Sequence, residues 1–269
     1  MIEANVCTEG LRQASPAFSG IAIEHSPRTT SLRRVTPNHR PAWVYGLSAV
    51  ACLLVAVALP PWGMFFTWPA FGFGLLSLAY LEAGPAIFRK KAGRLPIGTR
   101  LLFGPYLTGN AIAFRFCRRR SPGYIFLTEG IYLGRMLSNS EADEFIEQGL
   151  TAVLDLTAEY AECDRFRELA YKNVAILDLT LPTANQLGEA VDFIRHHVVH
   201  GRVYIHCALG YFRGPCIAAA YLLATGEADC AEEAVAMVCR ARPQTVVPKG
   251  LVELLRQCYG ERPRLASAY

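Results

Sequence analysis

The sequence of 269 residues has few charged residues and lacks the cysteine patterns that define common metal-binding modules. Charged residues make up 19% of the chain and hydrophobic residues 52%, which is apolar for a soluble protein. None of the nine cysteines forms a C-x-x-C pair, and no zinc-ligand spacing occurs. An odd number of cysteines in a chain of this length indicates reduced thiols in a reducing compartment.

The longest stretch without charge runs from Ala42 to Leu81 and also lacks histidine. One bilayer crossing needs about 20 apolar residues, so this stretch is long enough for two. Helix-breaking residues interrupt its middle, namely Pro60, Pro61 and Gly63. We therefore predict a hairpin of two transmembrane helices over residues 41–82, with helices Ala42–Leu59 and Met64–Leu81. A buried helical pair of a soluble protein is the alternative.

Basic residues flank the apolar stretch on both sides: Arg33, Arg34 and Arg40 before it, and Arg89, Lys90, Lys91 and Arg94 after it. Positive flanks remain on the cytoplasmic side, so both ends of the hairpin are predicted there. The chain is thus predicted to be a multi-pass membrane protein. Residues 1–40 read as a flexible basic tail.

Acidic residues are absent from position 83 to position 128, although this part contains nine basic residues. The apolar stretch Leu101–Phe116 lies between its basic clusters and is interrupted by Gly104, Pro105 and Gly109. We predict that residues 83–123 form a juxtamembrane segment on the surface of anionic lipid. A third spanning helix is the alternative. Nucleic acid is not a predicted partner, because no recognisable binding module accompanies the charge.

Residues 124–269 alternate between short β-rich runs and helical patterns. Strands are predicted at Val153–Leu156, Asn173–Leu177 and Val203–His206, and helices at Ala184–His200, Pro215–Ala224, Cys230–Arg240 and Gly250–Tyr259. This alternation predicts an α/β domain with a mostly parallel sheet flanked by helices. His196, His197 and His200 end one helix, and no metal is predicted there because paired ligand spacing is missing.

The segment Val203–Tyr221 contains the residues that predict the chemistry of this protein. Its β-rich run leads into a loop from Cys207 to Arg213, and an apolar helix follows. The backbone N–H groups of such a loop, above a helix N-terminus, form an anion site. That field stabilises a cysteine as thiolate, and Arg213 can hold two oxygens of one phosphoryl group. Gly210 permits a tight turn in between.

His206-Cys207-x-x-Gly210-x-x-Arg213 resembles the H-C-x-x-G-x-x-R signature of protein tyrosine and dual-specificity phosphatases, over roughly residues 124–260. The resemblance implies that Cys207 attacks phosphorus to form a phosphocysteine and that an upstream aspartate protonates the leaving oxygen. It implies no metal and no other cofactor. The residues predicted to surround the bound phosphate are His206, Ala208, Leu209, Gly210, Tyr211 and Phe212. Arg240, Arg242 and Pro243 resemble a segment that often follows the catalytic helix of this family.

Two aspartates compete for the role of general acid. Asp178 follows a predicted strand 29 residues before Cys207, and its position resembles the general-acid loop of the family. Asp155 also ends a strand but stands farther upstream. We assign the acid to Asp178 and expect Asp155 to cap its loop.

Gly214 departs from the family pattern, which usually has serine or threonine directly after the arginine. That hydroxyl helps the cysteine to leave when the phosphoenzyme breaks down. Together, the apolar hairpin and the family resemblance predict a membrane-anchored phosphatase that acts on phosphotyrosine in proteins, with phosphoserine and phosphothreonine as further candidate substrates. Two alternatives remain, a lipid-phosphate phosphatase of the same fold and a weak phosphate-binding pseudophosphatase.

Overall fold

The computed structural model of the protein describes residues 39–260. The predicted basic tail therefore lies outside the described residues, apart from His39 and Arg40. The described chain contains a five-stranded sheet in the order β1-β2-β5-β3-β4. Its strands are β1 (Tyr124–Thr128), β2 (Ile131–Arg135), β3 (Leu150–Thr157), β4 (Ala170–Ile176) and β5 (Arg202–Cys207).

The sheet is mixed and mostly parallel, which confirms the predicted fold class. β5 lies at its centre and pairs in parallel with β2 and β3, while β1 is the antiparallel edge strand. The central strands are almost wholly buried, as continuous apolar runs in parallel sheets usually are. β1 and β2 were not predicted as strands. Every residue of β1 is at least partly exposed, and its sequence YIFLT does not alternate between apolar and polar residues as a half-buried strand usually does.

Helices cover the sheet on both sides. They are α5 (Asn139–Glu147), α6 (Asp164–Arg167), α7 (Ala184–Val198), α8 (Arg213–Thr225), α9 (Ala231–Ala241) and α10 (Leu251–Tyr259). α7 starts with a capping box in which Thr183 and Gln186 satisfy each other's free backbone N–H groups. α8 is buried over nearly its whole length, which explains its unbroken apolar sequence.

Two N-terminal helices form a hairpin, α1 (His39–Ala58) and α2 (Thr67–Leu78), joined through a short 3-10 helix at Trp62–Phe66. By length and composition, the stretches His39–Ala58 and Trp62–Phe88 could each cross a bilayer, with mean hydropathies of 1.9 and 1.4. Their outer surface exposes many large apolar side chains, among them Trp43, Leu47, Leu54, Val57, Phe65 and Phe71. A soluble protein rarely exposes so large an apolar surface.

Residues 83–123, which the sequence predicts as the juxtamembrane segment, contain regular structure. They form two helices, α3 (Ile97–Leu102) and α4 (Gly104–Arg118), with a break at the predicted Gly104–Pro105 position. α4 packs against α2. Trp68 Nε1 of α2 also donates to the carbonyl of Leu101 in α3 at 2.9 Å. The far end of α4 reaches the sheet domain, where Arg118 forms an ion pair with Glu141. The segment therefore connects the hairpin to the domain over its whole length.

The hairpin and the domain share one hydrophobic cluster. It contains Ala42, Leu76, Ala79 and Tyr80 of the hairpin, Phe88, Leu95, Phe103 and Tyr106 of the juxtamembrane segment, and Ala158 and Leu177 of the domain. Ala158 lies in the loop after β3, and Leu177 lies in the loop after β4. Both loops stand at the carboxyl edge of the parallel sheet, the edge at which open α/β sheets bind ligands.

Candidate active site

The loop Cys207–Arg213 lies at the carboxyl end of the central strand. Cys207 is the last residue of β5 and is 2% exposed, and Arg213 is the first residue of α8. The sequence places this loop here because a β-rich run and an apolar helix both need burial, and the loop connects them at the sheet edge. The nucleophile candidate therefore lies at the bottom of a site above a helix N-terminus.

The carbonyl groups of the loop are bound from outside. Met136 N donates to Ala208 O at 3.0 Å, and Val246 N donates to Tyr211 O at 2.8 Å. Carbonyls bound in this way leave the amide N–H groups of the loop free to face a bound anion.

Gly210 and Arg242 hold the loop close to the sheet. Gly210 has a φ of 74°, and a Cβ there would stand 2.4 Å from Gly134 O, so only glycine fits. Arg242 is fully buried and donates to Leu209 O at 3.0 Å and to Ser121 Oγ at 2.9 Å. Its guanidinium also lies over the Tyr211 ring, at 5.2 Å. Arg242 therefore braces the loop.

Arg213 is held by a carboxylate that the sequence analysis missed. Glu159, in the loop after β3, accepts from Arg213 Nη1 at 2.9 Å and from Nη2 at 2.8 Å. Both side chains are buried, and Ile176 O accepts a further bond from Nη1 at 3.0 Å. A bidentate pair of this kind fixes the plane of the guanidinium.

The pair leaves one side of the Arg213 guanidinium available for a ligand. Nη1 uses both of its hydrogens on Glu159 and Ile176, whereas Nε is buried and has no hydrogen-bond partner among the described residues. Nε–H and the second Nη2–H form a side-on fork, the arrangement that binds two oxygens of a phosphoryl group. An unpaired buried donor is costly, so this fork is suited to an anion.

Asp178 lies beside this arginine, with Oδ1 3.4 Å from Arg213 Nη2 and a side chain that is 47% exposed. It follows β4, as predicted. Partial desolvation by the surrounding protein and the nearby Glu159 carboxylate raise the pKa of Asp178 above its usual value, although Arg213 opposes them. A carboxyl group with a raised pKa keeps its proton to higher pH, as a general acid must.

Asp155, the competing aspartate, is fully buried and turned to other partners. Its carboxylate accepts from the Lys90 ammonium, from Thr157 N at 2.8 Å and from Tyr171 OH at 2.6 Å. Burial alone raises its pKa, but Lys90 and His206 outweigh burial and hold it below its usual value. Asp155 is thus an ionised structural carboxylate that orders its loop.

His206 was predicted to line the phosphate site, but its ring is fully buried and contacts other residues. Nε2 lies 2.7 Å from Glu162 Oε2, and the ring stacks on Tyr204. Burial lowers the pKa of His206, but Glu162 and Asp155 raise it more, so the net direction is upward. The imidazole therefore supports the strand behind Cys207.

Asp155, Glu162 and His206 place their ligand atoms within 4.8 Å of one another, a set that could hold a metal ion. The Lys90 ammonium already binds Asp155 there and supplies a positive charge.

Gly214 stands in the first turn of α8, where a Cβ would lie 2.8 Å from Leu133 Cδ1. The side chain of Leu133 therefore occupies part of the space that a serine or threonine would need. The packing of Leu133 thus fits a residue without a side chain at position 214.

Comparison with known proteins finds a family model that covers the region of this loop. Residues 131–260 match the family model of the dual specificity phosphatase catalytic domain. No curated protein matches the chain. One solved structure that resembles it is the active form of Tk-PTP, with 27% sequence identity, coverage of 51% of this chain and 97% of the other, and a TM-score of 0.47. Another is PTPMT1 in complex with PI(5)P, with 18% identity, coverage of 51% of this chain and 95% of the other, and a TM-score of 0.46. Human DUSP28 is similar as well, with 18% identity, coverage of 51% of this chain and 93% of the other, and a TM-score of 0.43.

Proposed function

We propose that residues 131–260, which match the dual specificity phosphatase catalytic domain, hydrolyse phosphomonoesters with Cys207 as the nucleophile and Asp178 as the general acid. The observation that carries the proposal is the buried Arg213 fork, held by Glu159 and left open on its Nε side next to the Cys207 loop. This geometry fits a tetrahedral oxyanion and offers no comparable role to a neutral ligand.

The proposed reaction has two steps. The Cys207 thiolate attacks phosphorus, an S–P bond forms, and the P–O bond to the leaving group breaks as Asp178 gives its proton to that oxygen. Water then attacks phosphorus while the Asp178 carboxylate takes a proton from it, and the thiolate leaves with release of inorganic phosphate. Arg213 and the loop amides stabilise the equatorial oxygens throughout.

Replacement of Asp178 tests this assignment. We expect Asp178→Asn to lower kcat/KM for phenyl phosphate by about 10²-fold, because a general acid contributes at least that much. The wild-type rate should fall as pH rises through the pKa of Asp178, which is raised, and this fall should be absent in the variant. The measurement is a pH profile of hydrolysis by the full chain in detergent.

The leaving group provides the control for that experiment. An aryl phosphate whose phenolate leaves without protonation should give almost the same kcat/KM with wild type and Asp178→Asn, because kcat/KM reports formation of the phosphocysteine and not its hydrolysis. The exposed Asp192, on α7, provides a matched variant, Asp192→Asn, that should behave as wild type. If Asp178→Asn lowered kcat/KM by the same factor for both leaving groups, Asp178 would not be the general acid. A folded wild type that binds phosphate without turnover would support the pseudophosphatase that Gly214 leaves open.

A membrane lipid with one phosphomonoester is the second candidate substrate, beside a phosphorylated protein. The loops that carry Glu159 and Asp178 pack on the hairpin through their neighbours Ala158 and Leu177. A phosphate bound at Cys207 thus lies near apolar helices. The variable loop side chains are uncharged, which suits a headgroup of low charge rather than a polyphosphorylated one.

A comparison of substrates separates lipid from protein. Each methylene that leaves water contributes about 0.8 kcal/mol, and 1.4 kcal/mol is tenfold in affinity. We therefore expect long-chain phosphatidic acid in mixed micelles to exceed its short-chain soluble analogue by at least about tenfold in kcat/KM. A phosphotyrosine peptide should resemble the short-chain analogue. A clear preference for the peptide would favour protein substrates.

A further inference from the structure

Lys90 precedes residues 131–260 in the sequence, but its side chain is buried within the domain that those residues form. Lys90 follows a 3-10 helix (Gly84–Phe88) of the juxtamembrane segment, and its side chain is 2% exposed. Its ammonium donates to the Asp155 carboxylate, to Thr157 O at 3.0 Å and to Thr157 Oγ1 at 2.9 Å. A buried ammonium with three acceptors is a specific contact, because an unpaired charge in that place would be strongly unfavourable.

The Lys90 site is directly behind the nucleophile. Asp155 pairs in register with His206, the residue before Cys207 on β5. Two carboxylates, Asp155 and Glu162, lie here close to His206. The Lys90 ammonium therefore neutralises negative charge that His206 alone would not neutralise. Removal of the ammonium would leave excess negative charge beside the strand that carries the thiolate.

A second contact fastens the same loop at its other end. Glu162 N donates to Gly93 O at 2.8 Å. Gly93 has a φ of 74°, and a Cβ there would stand 2.7 Å from Arg167 Cδ, so the segment fits closely against the domain. The Lys90 side chain and the Gly93 carbonyl thus hold the two ends of the loop 157–162. Glu159 lies between those ends and orients Arg213.

We propose that Lys90 is a positioning residue of the phosphatase site. It holds the loop 157–162 so that Glu159 presents the Arg213 fork to phosphate, and it neutralises Asp155 behind Cys207. The membrane-proximal segment is then a working part of the active site in addition to its role as a connection to the hairpin. This inference rests on the proposed function only for the identity of the anion.

The test compares three full-length variants in detergent: Lys90→Met, Lys91→Met and the double variant Lys90→Met/Asp155→Asn. Lys91 is the adjacent, exposed lysine and serves as the matched control. The double variant removes both charges of the pair, so it keeps the test open if Lys90→Met alone does not fold. The readouts are the dissociation constant of inorganic phosphate, the kcat and KM of aryl phosphate hydrolysis, and thermal unfolding.

We expect Lys90→Met and the double variant to bind phosphate at least about tenfold more weakly than Lys91→Met, with a matching rise in KM. The double variant should recover much of the melting temperature without recovering phosphate affinity, which a purely structural role would not produce. Wild-type phosphate affinity in either variant would overturn the inference. Phosphate binding without turnover in the wild type would count against the proposed function alone, and no phosphate binding in the wild type would overturn both.

Discussion

Replacing Cys207 by serine is expected to reduce phosphomonoester hydrolysis by at least about 10³-fold, because loss of a covalent nucleophile removes the whole two-step route. Serine keeps the shape of the loop, so the folded protein and its affinity for phosphate should persist. The measurement is turnover of an aryl phosphate, combined with acid quenching of a radiolabelled substrate. Wild type should retain label on the protein, and Cys207→Ser should retain none.

Cys216 provides a matched control in the same fold. It is also fully buried, and its Sγ lies 3.2 Å from Phe212 O, near the same loop. Cys216→Ser can keep that hydrogen bond, so it should retain most activity and all of the covalent label. If both variants lost activity equally while phosphate binding persisted, the thiol of Cys207 would not be the nucleophile.

The Cys207 loop was predictable because its parts are contiguous. Strand, glycine, arginine and helix fall within one short segment, so their spacing specifies how they meet in space. The parallel sheet followed from the same local patterns. β1 and β2 were not predictable in this way, since the half-exposed β1 has no strong period and β2 continues from it through a tight turn.

Glu159 and Lys90 could not be assigned from spacing, because each acts on a residue more than 50 positions away. Glu159 did carry a signal, since it closely follows the predicted strand Val153–Leu156. Carboxyl ends of neighbouring parallel strands share one edge, so an acidic residue there is a candidate partner for Arg213. Lys90 carried no such signal. A basic residue beside an apolar run usually remains at the membrane surface, and its burial depends on the fold of the whole juxtamembrane segment.

Removal of the Glu159 carboxylate is expected to have the largest effect on stability. Glu159→Ala leaves the Arg213 charge buried without its partner, and breaking a buried pair in this way costs about 3–5 kcal/mol. For a chain of this size that corresponds to a fall in melting temperature of roughly 6–20 °C. Glu168→Ala, which removes an exposed ion pair with Arg165, should leave the melting temperature almost unchanged.

Glu159→Gln separates positioning from stability. The amide oxygen can still accept one bond from Arg213, but the bidentate charged pair is lost, so the guanidinium is free to rotate out of plane. We expect a smaller loss of melting temperature than for alanine, with kcat/KM still lowered by at least about tenfold. Wild-type kcat/KM in a folded Glu159→Gln protein would show that the fork does not need its carboxylate. Parallel losses of phosphate affinity in Glu159→Gln and in Lys90→Met would indicate that both residues act through the orientation of Arg213.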